Sequence, residues 1–160
     1  MVEHLKHALR GQFEAALAML EDCLIKCPAE HWDSPIARYP FWHVAYHALC
    51  FVDCYLSPSN EDFGRLLEER KSARATDRSL PDLHPLGAEE LEAEHPSRRF
   101  SRDELRAYVG LCRAKLEAVL GDGPGGETWQ TLLGPSGFEW LRFPRLELHI
   151  YNIRHVQHHA

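Results

Sequence analysis

A chain of 160 residues with 44% apolar and 26% charged side chains has the size and make-up of one globular domain, able to bury a core without disulfide or metal staples. A formal charge of -6 and the lack of a dense Lys/Arg stripe argue against nucleic-acid binding, since a phosphate backbone selects a basic face. No run reaches the roughly 18 apolar residues of a membrane span, and the start MVEHLKHALR is too polar for a signal peptide, so the cytoplasm is the expected compartment.

In chain order, Leu5, Ala8, Leu9, Phe13, Ala16, Leu17, Leu20 and Leu24 recur at helical spacing and predict a first amphipathic helix over 5–26. Pro28 ends it, and the three prolines of PAEHWDSPIARYP make 28–40 a connection. Pro40 stands where a second helix begins, and FWHVAYHALCFVDCYLS is apolar enough to be surrounded on most sides. Residues 57–97 read as a long connection, with a short helix in SPSNEDFGRLLEERKSA and one helical turn in the Pro-rich stretch TDRSLPDLHPLGAEELEAEHPS. The runs ERKSAR, EELEAE and SRR read as solvated surface.

The third long helix starts at a capping box, Ser101 with Glu104, with Phe100 and Leu105 placed as a hydrophobic staple. Leu105, Tyr108, Val109, Cys112, Leu116 and Val119 form its buried stripe, and GDGPGG breaks it. The aromatic, Gly/Pro-punctuated segment 127–144 is suited to cover a bundle end or a pocket mouth. Pro144 opens a last helix whose face carries Leu148, Tyr151, Asn152, His155 and His159. No strand is convincing. The expected fold is all-α: a single-domain four-helix bundle over 1–160 with a long connection between helices two and three.

Histidine is over-represented, with 11 copies, four of them within 149–160. His155 and His159 stand at i,i+4, stacked on one face about 6 Å apart at Cβ, so two imidazoles can converge on one ion. A third donor comes from helix two, where His43 and His47 share an apolar segment. His47 is favoured because it lies deeper in the helix. Three protein ligands leave positions for water or substrate, the open arrangement of catalytic rather than structural sites. Zn²⁺, Ni²⁺ and Fe²⁺ all accept such a set. Tyr151, Asn152 and His43 are the candidate catalytic helpers, with Asp53 beside them; hydrogen bonding within the core is the plain alternative for Tyr151 and Asn152. Cys23/Cys27 and Cys50/Cys54 also form i,i+4 pairs, but helical positions without C-x-x-C knuckles favour small buried hydrophobes in a reducing compartment.

The helix-two stretch WHVAYHALCFVDCYL, the last-helix stretch HIYNIRHVQHHA and the bundle order resemble the DinB-like superfamily, the DinB/YfiT-like metalloenzymes. That resemblance implies an up-down-down-up four-helix path, frequent dimers, and a divalent metal held by one histidine of helix two with an H-x-x-x-H pair of the last helix, here His47, His155 and His159. It further implies a low-molecular-weight thiol as cosubstrate. The function expected is a divalent-metal-dependent transferase or hydrolase acting on a small molecule. The alternative is a noncatalytic, stress-related metal-binding or scaffold protein. An enzyme predicts a cavity of at least roughly 300 Å³ facing the open position.

Overall fold

The computed structural model describes residues 2–80 and 98–160. Helix α1 spans Val2–Lys26 and buries Leu9, Phe13, Ala16, Leu17, Leu20 and Leu24, the stripe set by its apolar periodicity. After a 3-10 turn at Ala29–His31, a two-residue hairpin pairs β1, Pro35–Ile36, with β2, Tyr39–Pro40. Pro40 then caps α2, Phe41–Tyr55, which is buried nearly all round. Next come α3, Asn60–Thr76; α4, Arg102–Leu120; α5, Trp129–Leu133; and α6, Arg145–His159.

The all-α expectation holds, but the simple up-down-down-up four-helix bundle does not: six α-helices stand among the described residues. The main departure is α3, expected as a short helix inside a connection and found to run 17 residues. Periodicity undervalued it because Phe63 is its one buried side chain. Its start is set locally: Ser59 Oγ accepts from the Asp62 backbone N–H at 3.1 Å, and Glu61 and Asp62 place negative charge at the positive end of the helix. The hairpin at 35–40 is a second departure, in a segment whose prolines argued for a plain connection. The helical turn and the acidic run EELEAE expected within 81–97 lie outside the described residues.

The core forms where α1 packs against α4 and α6, and α2 packs against the same two helices. Its largest enclosed side chains include Phe13 and Leu17 of α1, Tyr46 and Leu49 of α2, and Tyr108 of α4. The capping box of α4 is present in both directions, with Ser101 N–H donating to Glu104 Oε2 at 2.8 Å and Ser101 Oγ accepting from Glu104 N–H at 3.3 Å. Between α5 and α6, the loop closes at a Pro135 to Pro144 bridge and presses onto the α2–α3 junction. Gly137 has φ 90°, and a Cβ there would lie 1.8 Å from the Pro58 carbonyl oxygen, so this approach admits glycine alone. No described helix is long and apolar enough to cross a membrane.

Candidate metal centre

Two facing helices build the site. On α6, His155 and His159 occupy successive turns, and their ring centroids lie 4.7 Å apart. On α2, His47 sits at the edge of the buried face, 5.2 Å from His155 and 5.1 Å from His159 by ring centroid. One ligand-capable atom from each of the three lies within 4.8 Å of the others, and all three residues are half-buried. The Nε2 atoms of His155 and His47 are 3.3 Å apart. A tetrahedral ion with metal–nitrogen bonds of about 2.0–2.1 Å separates its nitrogens by roughly 3.3–3.4 Å, so this spacing fits a shared ion.

The charge state suits coordination. Burial, followed by the neighbouring His159, His47 and His158, pushes His155 down to about 3. Burial and His158 also lower His159. A depressed imidazole is neutral near pH 7 and keeps a lone pair for a metal. Phe51 flanks the triad with its ring centroid 4.8 Å from His47 and 5.4 Å from His155.

His43 lies one turn before His47, is 1% exposed, and stacks on Trp42 at 5.3 Å, outside the triad. Tyr151 is 40% exposed, its ring nearly parallel to His155 at 6.4 Å and 6.0 Å from Phe143. Asn152 is wholly buried. His158 points to solvent, as its offset from the ligand face required. Asp53 belongs to a different cluster: Arg70 of α3, Lys115 Nζ at 2.8 Å and Tyr108 Oη at 3.0 Å converge on its carboxylate. Arg70 falls in the run ERKSAR, expected to be solvated, and is instead an ion-pair partner of a buried acid.

The cysteines form no ligand cluster among the described residues, where the three histidines are the one grouping with metal-ligand spacing. Burial raises the Cys50 thiol to about 11 and Cys54 to about 12. Such thiols stay protonated and are poor ligands for zinc.

Sequence reasoning missed a second polar cluster at the other end of α6. His149 Nε2 lies 2.8 Å from Glu127 Oε2, whose Oε1 accepts from Arg145 Nε at 2.7 Å. Arg145 also donates to the Ser57 carbonyl at 2.8 Å, tying α6 to the end of α2. One signal was available: His149 stands on the inward face two turns before His155, where a buried imidazole needs a partner.

A groove of about 270 Å³ runs beside His155, lined by Tyr151, Arg154, His155 and His158. A larger cavity of about 620 Å³ is lined by residues of the loop 133–144, including Phe138 and Phe143, and by none of the three histidines.

No protein-family model matches this sequence, no curated protein matches it, and no solved structure matches its fold. The resemblance to the DinB-like superfamily is therefore overturned, along with the four-helix path it implied. Two short helical segments with histidines at i,i+4 carried it, and that pattern arises wherever an amphipathic helix brings two imidazoles to one face. What stands is an all-α domain with a candidate three-histidine metal site, reached through geometry alone.

Proposed function

We propose that the chain is a divalent-metal-dependent enzyme acting on a small molecule, with His47, His155 and His159 as the metal ligands. One observation carries the reading: three imidazoles from α2 and α6 converge within 4.8 Å without a fourth ligand among the described residues. A divalent ion with three protein ligands lowers the pKa of a bound water and polarises a substrate oxygen at neutral pH. Hydrolysis is the simplest outcome, and transfer to a low-molecular-weight thiol is the alternative.

The chain's own residues supply the surroundings. Phe51 and Tyr151 give the site an apolar wall that limits water on two sides. Arg154 and His158 face the groove beside His155 and favour an acidic or phosphorylated group on the substrate. Tyr151 is exposed beside the ligands and orients what enters.

Metal content of the purified chain, compared with His155→Ala and His159→Ala, tests the reading. One equivalent of metal is expected in the parent, with affinity reduced by at least roughly 100-fold in each variant, beyond what loss of an outer-shell partner causes. Equal stoichiometry and affinity in all three proteins would end it.

A noncatalytic metal-binding protein is the second reading, favoured by one observation: the groove at the ligands is small, and the larger cavity lies at the loop 133–144. Hydrolysis or thiol transfer on small esters and amides that disappears with a chelator decides for the enzyme.

A further inference from the structure

Aromatic rings join the cavity at the loop 133–144 to the three histidines. Tyr151 lines the groove beside His155, and Phe143 lines the cavity. The Tyr151 centroid is 6.4 Å from that of His155 and 6.0 Å from that of Phe143, so the two hollows are neighbours across one ring pair. Tyr55 touches both sides, with its ring 6.0 Å from Tyr151 and 5.2 Å from Phe138, a second residue of the cavity lining. Phe51 continues the row from Tyr55 at 5.2 Å to His47 at 4.8 Å. Tyr55 is 4% and Phe138 3% exposed, whereas Tyr151 is 40% exposed. The core fixes the inner rings, and the outer one is open to what arrives.

We propose that the loop cavity is a subsite for a planar aromatic group of the substrate, which passes over Tyr151 and brings its reacting group to the ion. The reach to the ion rests on the three-histidine reading; the aromatic subsite does not.

Size, lining and charge select that chemistry. The cavity, about 620 Å³, falls within the roughly 300–1,000 Å³ of small-molecule pockets, whereas the groove at the ligands, about 270 Å³, falls short of it. Phe138 and Phe143 offer an incoming ring the offset or edge-on contact that aromatic pairs prefer at about 4.5–7 Å. A rigid ring also loses less rotamer freedom on entry than an alkyl chain does. Glu139 and Arg142 put one charge of each sign on the cavity lining, which gives no preference for a charged occupant. Arg154 and His158 place the preference for an anion at the other hollow. The order along the row therefore matches a substrate with an aromatic end and an acidic or acyl reacting end.

Phenylalkyl hydroxamic acids with a graded number of methylenes carry a zinc-chelating end and an aromatic end. On the zinc-loaded full chain, affinity is expected to peak at one linker length, at least roughly tenfold above acetohydroxamic acid, because the second contact is intramolecular only when the linker spans both hollows. The cyclohexyl analogue of that length, not planar, is expected to lose most of the gain. Leu133 lines the cavity and is 54% exposed, so Leu133→Glu charges the lining without entering the core. This variant is expected to lose the gain and to keep the parent's zinc stoichiometry and its affinity for acetohydroxamic acid. Affinity that is flat across the series, equal for the cyclohexyl analogue, or unchanged in Leu133→Glu overturns the proposal. In the metal-free chain, naphthol is expected to shift the NMR methyl signals of Leu133 and Leu141, and silence at both overturns the aromatic subsite. Should the parent take up no zinc, the three-histidine reading fails, and the naphthol spectra still decide the subsite. A parent that is dimeric by light scattering, becomes monomeric as Leu133→Glu and shows no naphthol shifts has this face covered by a second copy, which also overturns the proposal.

Discussion

Among the described residues, Asp53 gathers three side-chain partners around one buried carboxylate. Its carboxylate is 1% exposed and receives Arg70 and Lys115 as ion-pair partners and Tyr108 as a hydrogen-bond donor. Burial alone would raise its pKa, but the hydrogen bonds and positive charge of Arg70 and Lys115 outweigh that and hold it below the ordinary 3.8. A carboxylate depressed on folding adds stability that is complete above its unfolded pKa and is lost as pH falls through the folded value. Asp53→Ala strands two cations at a buried site, so a loss of about 3–5 kcal/mol is expected near neutral pH. Urea unfolding midpoints for parent and variant check this, with the gap narrowing as the pH is lowered below about 4. A gap that does not change with pH would show that Asp53 acts by packing alone.

At the scale of elements, α3 is fastened by Phe63 in the core, Leu67 packed against it, and Arg70 on Asp53. Arg70→Ala leaves Asp53 its bonds to Lys115 and Tyr108 and releases α3 first. Amide exchange across 60–76 is expected to speed up roughly tenfold, about 1.4 kcal/mol of local opening, while α2 and α4 keep the parent's rates. Uniform acceleration in all three helices would contradict this attachment. The same helix marks the limit of what the sequence disclosed. Helices α1 and α4 were legible because each buries a periodic apolar stripe, α2 because its apolar run follows Pro40, α6 because Pro144 opens a face carrying Leu148, Tyr151, Asn152, His155 and His159, and the α4 start because SRDE carries its own cap. In α3 the stabilising partner is an acid 17 positions earlier, and periodicity carries no trace of it. Likewise His155 and His159 were legible from spacing within one helix and His47 from the cost of burying an imidazole. The pairing of His149 with Glu127 crosses 22 positions and a Gly/Pro-rich loop, and only the folded chain brings them together.

Over the whole molecule, polar side chains link helices that the apolar core already joins. Arg145 ties α6 to the end of α2, Asp53 ties α2 to α3 and α4, and the three histidines bring α2 and α6 together near the far end. The five free cysteines sample that architecture at different depths: Cys23 on α1 and Cys27 just past its end are half-buried, whereas Cys50, Cys54 and Cys112 lie within the core on α2 and α4. They therefore act as an internal gauge of native packing. An alkylating reagent under native conditions is expected to modify Cys23 and Cys27 promptly and to reach the other three only as fast as the helices part, as read by intact-mass spectrometry. Equal rates at all five would refute the depth ordering. With a divalent ion bridging α2 and α6, the slow labelling of Cys50 and Cys54 becomes slower still, turning an inert trio of thiols into a clock for how long the two helices stay together.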